Sequence, residues 1–197
     1  MTIKGKASAV EKVFNQLDKK IAGLQEKTGL HCQQGCGACC KKPDIEATIL
    51  EFIPLAFALH TEGKLEEMLD EIDQRGDDPI CINFSPFTND MNGGFCIQYQ
   101  YRGLICRLFG YSARRDKFGD HVLVTCKLIK ESQAAIVEKI NKDLKSGKKI
   151  PVISNQYEKL RNIDYNLSDE MYPINQAIKK ALEFVALYFY YRKPKAS

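Results

Sequence analysis

Four of the chain's eight cysteines fall within nine residues, at Cys32, Cys36, Cys39 and Cys40. Gly35 and Gly37 lie between them and allow tight turns that a regular helix does not make. The other four cysteines follow singly, at Cys81, Cys96, Cys106 and Cys126. A tetrahedral thiolate site, with metal–sulfur distances of about 2.3 Å, needs ligands that converge from two or more loops. The pattern therefore predicts a fold that brings separate cysteine-bearing loops together around metal.

The length and composition of the chain make disulfides unnecessary for folding. With 197 residues, 44% of them hydrophobic, it has enough apolar material for an ordinary core. Glu11 and Lys12 interrupt the N-terminal segment where a secretory signal would need an apolar run, so we expect a cytoplasmic protein. In that reducing compartment, metal ligation or redox chemistry explains clustered cysteines better than disulfides or buried inert thiols do.

Charge and hydropathy argue against two classes of partner. The formal net charge is +4, but Lys and Arg are scattered and no basic run reaches five residues, so nucleic acid binding is not indicated. The longest apolar candidate, Phe184 to Tyr191, is far shorter than a membrane span of roughly 18 residues. The sequence also lacks a Gly-rich phosphate loop, a nucleophile elbow and a His-Glu-x-x-His motif. A metal ion is the partner indicated, and no feature identifies a protein partner.

Apolar residues at three- and four-residue spacings predict helices at both ends of the chain. The first runs from about Ala7 to Lys27 and ends at Gly29. A second, about Ile45 to His60, is apolar on most sides, and Pro54 should kink or split it. A third, more polar helix is expected from Lys64 to Gln74. Three further helical patterns follow the last cysteine, around residues 136–144, 153–163 and 174–188.

Short alternating apolar pieces between Asp77 and Lys127 predict a small, irregular β region. The expected strands contain Ile80, Ile82 and Phe84, then Phe95, Ile97, Tyr99 and Tyr101, then Val122 and Val124. Turns are expected at residues 92–94 and 114–120. The fold class predicted is α-rich α+β, a single domain over 1–197 whose cysteine region, about 31–127, carries the metal site and is covered by helices at 1–30 and 128–197.

Adjacent Cys39 and Cys40 favour two metal centres over one. Neighbouring side chains point in different directions, so these two thiols serve two centres more easily than one ion. Eight thiols divide naturally into two sets of four, but spacing does not assign the members. Zinc and iron both suit sites of four thiolates, and an iron–sulfur cluster is compatible with the same ligands.

The cysteine segments resemble the bacterial cysteine-cluster family of the CxxCxxCC type, the YkgJ-like zinc- or iron-chelating domains. The likeness extends over about half of the chain and is carried by residues 32–40, Cys81, 96–99, Arg102, 106–110 and Cys126. It implies that all eight cysteines are metal ligands or lie beside them. Two departures are the three-residue gap between Cys32 and Cys36, where the family name has two, and Gly103 where the family usually has proline.

The resemblance leaves two functional hypotheses open. The first is a protein that holds zinc or an iron–sulfur centre for structure, sequestration or delivery. The second is an enzyme, either an iron–sulfur oxidoreductase or a protein lysine methylase-like enzyme, because better-known relatives resemble flagellin lysine methylases. Cys32, Cys36 and Cys39 also match the spacing of radical S-adenosylmethionine enzymes, but the chain lacks their run of βα units.

Several residues near the cysteines have two interpretations. The charges of Lys41, Lys42, Arg102 and Arg107 would favour thiolates, or the lysines lie on a solvated surface; for Arg107 we expect a local role beside Cys106. His31 could replace a cysteine as a ligand, but a surface or capping role is the simpler expectation. The nearby aromatic residues either screen a cluster from water or belong to the core: Tyr99, Tyr101, Phe109 and Tyr111.

Overall fold

The computed structural model describes residues 1–87 and 90–192, and this part of the chain is mainly helical. Its α-helices are α1 (Ile3–Thr28), α2 (Ile53–Glu62), α3 (Leu65–Arg75), α4 (Leu104–Leu108), α5 (Lys127–Ser132), α6 (Ala134–Lys145), α7 (Ile153–Arg161), α8 (Tyr165–Ser168) and α9 (Ile174–Tyr190). Its strands are β1 (Glu46–Ala47), β2 (Phe84–Phe87), β3 (Asp90–Cys96), β4 (Ser112–Arg115), β5 (His121–Val124) and β6 (Tyr172–Pro173). Among these described residues, no helix has the length and apolarity needed to cross a membrane.

Helix α1 confirms the predicted N-terminal helix, and its ends follow from local chemistry. The Thr2 hydroxyl accepts a hydrogen bond from the Gly5 amide at 3.1 Å, which satisfies one free donor at the start of the helix. Gly29 ends the helix in the left-handed conformation, with φ 73°. The residues that face the core recur at three- and four-residue spacings: Ile3, Ala7, Val10, Phe14, Leu17 and Ile21.

The second predicted helix begins later than the sequence pattern indicated. Residues Ile49–Phe52 form a short 3₁₀ helix, and α2 starts only at Ile53. Pro54 lies in the first turn of α2, where its missing N–H removes no helical hydrogen bond, so it begins the helix instead of kinking it. The predicted continuous helix from Ile45 is therefore wrong in its first half, residues 45–52.

Three antiparallel two-stranded sheets replace the predicted run of strands, and the α-rich α+β class is confirmed. In the pair β2–β3, Phe84 lies opposite Cys96, and the glycines of the expected turn at 92–94 belong to strand β3. Ile80 and Ile82 precede the strands, while Tyr99–Tyr101 is a 3₁₀ helix. In the pair β4–β5, Arg114 and Arg115 are strand residues, so only the later part of the expected turn at 114–120 is a turn.

Two apolar clusters of unequal size form the core. The larger joins α1, α2, α3 and α9 with Phe52, Ile82 and Phe84. The smaller lies around β4, β5 and α6 and is built from Leu30, Ala113, Leu123, Ile129, Ile140 and Leu144. Cysteines lie beside both clusters: Cys81 belongs to the larger one, and Cys126 packs against the smaller one.

Candidate metal centre

All eight predicted ligands line one cavity of about 400 Å³: Cys32, Cys36, Cys39, Cys40, Cys81, Cys96, Cys106 and Cys126. They come from segments as much as 94 residues apart in the chain, from Cys32 to Cys126. The cavity wall also contains residues of both core clusters, among them Phe52 and Ile129. The fold thus brings the separate cysteine loops together, as the spacing predicted.

The first cysteine loop turns at its two glycines and rests on the β2–β3 hairpin. Gly35 and Gly37 have φ values of 69° and 57°, the left-handed region that glycine enters without strain. A Cβ on Gly35 would lie 2.7 Å from the ring of Phe87, and one on Gly37 would overlap the ring of Phe84. After Gly37 the chain forms the short 3₁₀ helix Ala38–Lys41, which carries Cys39 and Cys40.

Backbone hydrogen bonds attach the next two cysteines to this loop and to each other's segment. The Cys81 amide donates to the Cys40 carbonyl at 2.9 Å. Asn83, two residues later, accepts at its carbonyl from the Ile97 amide at 2.9 Å, next to Cys96. Cys81 is buried, whereas Cys96 is partly exposed.

A buried carboxylate holds the start of helix α4, which carries Cys106. Glu51 is fully buried, and its Oε2 accepts a hydrogen bond from the Ile105 amide at 3.0 Å. Its Oε1 accepts from the Thr48 amide at 2.8 Å, which completes a capping box. Burial raises the pKa of Glu51, although the Thr48 and Ile105 amides act in the opposite direction. Glu51 was not among the predicted site residues, although the Thr-x-x-Glu capping pattern beginning at Thr48 signals it in the sequence.

Arg107 has the local role expected beside Cys106, and the structure shows that role to be structural. Its guanidinium is buried, forms an ion pair with Asp18 of α1, and donates to the Gln100 carbonyl at 2.6 Å. It also lies over the Phe14 ring, 4.6 Å from the ring centre. Burial lowers the pKa of Arg107, and the Asp18 charge opposes that effect. Arg107 therefore fastens the segment around Cys106 to helix α1.

Cys126 and Cys32 also line the cavity. Cys126 caps helix α5, and its Sγ accepts from the Ile129 amide at 3.4 Å. The Cys32 amide donates to the Tyr111 hydroxyl at 2.7 Å, a contact that sequence patterns do not signal. His31 is exposed and is bound through its backbone, so the surface interpretation of His31 agrees with its position.

The aromatic residues near the cysteines divide between rim and wall. Tyr99, Phe109 and Tyr111 line the cavity, and Tyr99 is 64% exposed. Arg102 stacks over the Tyr99 ring, 4.0 Å from its centre, and also lines the cavity. Tyr101 instead packs against the larger core cluster. Tyr101 therefore agrees with the core interpretation, and Tyr111 both lines the cavity and packs against the two core clusters, whereas the screening of a cluster from water stays a prediction.

Burial and mutual repulsion disfavour the ionised form of most of these thiols in the metal-free chain. Burial is the main cause that raises the pKa of Cys32 and of Cys81 to about 11, and it also raises the pKa of Cys96 and Cys106. Cys39 is the exception, because a hydrogen bond from the Cys40 thiol lowers its pKa to about 6. The same hydrogen bond raises the pKa of Cys40, because its thiol is the donor. A divalent cation in the cavity would remove this penalty, because it stabilises thiolates.

The donor set fits a soft metal ion or an iron–sulfur cluster. All eight cysteines are free thiols, and thiolates are the ligands that zinc, iron and iron–sulfur clusters prefer. Asn83 also lines the cavity, and its buried Oδ1 has no hydrogen-bond partner among the residues that the structure describes. Within residues 1–87 and 90–192, no three His, Cys, Asp or Glu side chains are already close enough to hold an ion. Changes of side-chain rotamer would have to complete a site.

Comparison with known proteins identifies one family. Residues 31–135 match the family model CxxCxxCC, described as "Putative zinc- or iron-chelating domain". This segment is more than half of the chain and contains all eight cysteines. No curated protein and no solved structure matches the chain.

Proposed function

Because the chain belongs to the CxxCxxCC family, we propose that it chelates zinc or iron through its eight cysteine thiolates. The observation that carries this proposal is the convergence of all eight thiols on one cavity. Disulfide formation is a weaker explanation, because all eight cysteines are free in the structure. The proposal covers storage, delivery or a structural role for the metal.

The chain's own residues would shape the site in two ways. Glu51 and Arg107 hold the segment that carries Cys106. Glu51 accepts a hydrogen bond from the Ile105 amide, and Arg107 donates one to the Gln100 carbonyl. The buried residues Phe52 and Ile129 form part of the cavity wall, and among the cysteines Cys81 is buried while Cys32 is exposed to water. A bound metal would supply positive charge that keeps the thiols ionised, so binding should release protons to solvent.

An enzyme is the second candidate, and the size of the cavity favours it. A volume of about 400 Å³ lies in the range of small-molecule sites, about 300–1,000 Å³, and exceeds what one tetrahedral ion needs. Such a site would have room for a substrate beside an iron–sulfur centre. An iron–sulfur oxidoreductase or a lysine methylase-like activity would use this space.

Anaerobic purification with analysis of metal and acid-labile sulfide tests the proposal. We expect bound zinc or iron in near-stoichiometric amounts, and a broad absorption band near about 400 nm if the centre is an iron–sulfur cluster. Cys36→Ser and Cys106→Ser should each lower the metal content. Ser154→Ala, at an exposed position of helix α7, is the control and should leave the metal content unchanged. A reduced chain that binds neither metal above background would refute the proposal.

A further inference from the structure

Asn83 is a buried polar residue in the wall of the eight-cysteine cavity. It is 3% exposed, and its Oδ1 has no hydrogen-bond partner among the residues that the structure describes. Two other buried side-chain oxygens in that part of the chain also lack a partner, those of Thr125 and Tyr157, but neither residue lines the cavity. A buried amide oxygen costs free energy unless it accepts a hydrogen bond. A donor can reach Asn83 from the cavity.

The backbone on either side of Asn83 is fixed by long-range hydrogen bonds. The Ile82 amide donates to Oδ1 of Asn175, on helix α9, at 2.8 Å. The carbonyl of Asn83 itself accepts from the Ile97 amide, just after strand β3, at 2.9 Å. These bonds hold the segment between α9 and the β2–β3 hairpin, so the Asn83 side chain is presented to the cavity by a preorganised backbone.

The side chains around Asn83 are poor sources of the missing donor once metal is bound. Within the described chain, the four cationic side chains that line the cavity all have acidic partners: Lys42 with Asp44, Lys127 with Glu131, and both Arg102 and Arg107 with Asp18. A cysteine can donate only while it is protonated, and a metal-bound thiolate is an acceptor alone. Metal loading would therefore surround the Asn83 oxygen with sulfur atoms that cannot donate to it.

The chemistry of the amide oxygen also separates Asn83 from the metal ligands. Carbonyl oxygens suit hard ions such as magnesium and calcium, whereas thiolates suit zinc and iron. We propose that Asn83 binds a small molecule that contacts the metal through one atom and donates an N–H or O–H group to Oδ1 from another. The cavity, at about 400 Å³, has room for such a molecule. This inference rests on the proposed function, and it makes the metal centre one with an exchangeable position.

Imidazole and 1-methylimidazole are matched probes, because both coordinate a metal through a ring nitrogen but only imidazole then has an N–H group to donate. Reduced protein loaded anaerobically with cobalt(II) is titrated with each probe, and the visible absorption of cobalt reports binding. The wild type should bind imidazole roughly fivefold more tightly, as one hydrogen bond contributes. Asn83→Leu, similar in size but without an acceptor, should keep its cobalt and bind both probes equally. Asn155→Leu, at an exposed position of α7, is the control and should keep the wild-type preference.

Equal binding of the two probes by the wild type, or binding of neither, would overturn this proposal. A preference that persists in Asn83→Leu would also overturn it, since the bulk of the methyl group would then be the cause. Loss of cobalt from folded Asn83→Leu would do the same, because Asn83 would then be needed to hold the metal itself. Where circular dichroism shows that Asn83→Leu does not fold, Asn83→Ala replaces it. A wild type that binds neither cobalt nor zinc would instead refute the proposed function.

Discussion

Two ionisable side chains inside the fold, Arg107 and Glu51, both contact the segment that carries Cys106. Arg107 binds backbone carbonyls of residues 100 and 102 and pairs with Asp18, while Glu51 accepts from backbone amides. Neither side chain has its charge exposed to water, so each depends on these partners. Single substitutions at these positions should therefore change the stability of the whole protein.

Arg107→Ala should destabilise the protein by about 3 kcal/mol. The change removes a buried guanidinium that joins α1 to the loop before α4, and it leaves backbone carbonyls without a donor. The estimate lies at the lower end for a broken buried pair, because the Asp18 side chain left behind is 37% exposed. Urea unfolding at pH 7 measures the loss. Arg115→Ala, on an exposed strand position, is the control and should change stability little; equal effects of the two would contradict this role for Arg107.

Glu51→Gln should alter how stability depends on pH. Burial raises the pKa of Glu51 in the folded state above its ordinary value of 4.5. Between those two pKa values the folded state holds a proton that the unfolded chain has released, so Glu51 makes the wild type lose stability as pH rises through this range. The glutamine variant has no titrating carboxyl at residue 51, so it does not lose stability in this way. The difference in unfolding free energy, wild type minus variant, should therefore fall as pH rises above 4.5.

Urea unfolding at several pH values, with a metal chelator present, checks the Glu51 prediction. Taking the difference between wild type and variant cancels the titration of the thiols, which both proteins share. Glu66→Gln, at an exposed position of α3, is the matched control and should give a difference that is nearly constant with pH. A constant difference for Glu51→Gln as well would show that its carboxyl is not protonated more readily in the folded state.

At the scale of elements, the first cysteine loop and the β2–β3 hairpin are fitted together through glycines. Gly94 donates to the Gly35 carbonyl at 2.8 Å, and a Cβ on Gly94 would lie 2.5 Å from the Ser85 carbonyl oxygen. Gly37 approaches the Phe84 ring just before Cys39. This close approach sets the position of Cys39 and Cys40 relative to Cys81 and Cys96.

Gly37→Ala should reduce metal content more than it reduces overall stability. The added methyl group would meet the Phe84 ring and push the Cys39–Cys40 helix away from the hairpin, which separates thiols that should share a metal. Gly119→Ala is the control: Gly119 also has positive φ, 89°, but a Cβ there meets nothing within 4 Å. We expect the control to cost about 1 kcal/mol through backbone strain alone and to keep its metal. Equal metal content in both variants would contradict the positioning role of Gly37.

Helices with regular apolar spacing could be predicted from the sequence, and irregular elements could not. Helices α1, α3, α6, α7 and α9 agree with their patterns, because each buries one face against the core. Helix α4 was missed, since Leu104–Leu108 is too short to show a helical period and its start depends on Glu51, distant in sequence. The glycines at 92–94 signal a turn locally, but pairing with β2 keeps them in a strand.

Thiol chemistry and spacing predict all eight cysteines as ligands, and this stays a prediction, whereas their arrangement in space could not be predicted. The eight cysteines line one cavity, and their arrangement depends on contacts such as that between His31 and Gln133, 102 positions apart. Asn83 gave no signal, because a single asparagine after a cysteine has no distinctive pattern. Long-range contacts of this kind require the fold itself.

At the scale of the whole molecule, the cavity lies where the two apolar clusters meet. Residues Ile21, Phe52 and Ile174 of the larger cluster and Ile129 of the smaller one all contribute to its wall. Outside the cavity, the Ala113 amide bonds to the Pro151 carbonyl at 2.8 Å and so joins β4 to the start of α7. A metal bound in the cavity would add a further connection between the clusters, and it stabilises the protein to the extent that it binds the folded state more tightly than the unfolded chain.

Metal loading should therefore protect the smaller cluster more than the larger one from hydrogen exchange. Helix α9 contributes Ala177, Ile178, Ala181, Leu182 and Val185, all fully buried, to the larger cluster, so its amides should exchange slowly with or without metal. Helix α6 has two buried residues in the smaller cluster, Ile140 and Leu144, and two partly buried ones packed against it, Ile136 and Val137, so its protection should rise when zinc is added. Hydrogen exchange measured by mass spectrometry gives the protection of α6 and of α9 in the same experiment, once with zinc and once with a chelator.

Two cysteine variants separate a local effect of zinc from a general one. Cys126 packs against the smaller cluster, so Cys126→Ser should abolish the zinc-dependent gain in α6 while the β2–β3 hairpin still gains protection. Cys96 lies on the β2–β3 hairpin, so Cys96→Ser should reduce the gain in the hairpin more than the gain in α6. If zinc protects α6 and the hairpin equally in both variants, the metal stabilises the fold as a whole, and the smaller cluster has no local dependence on it.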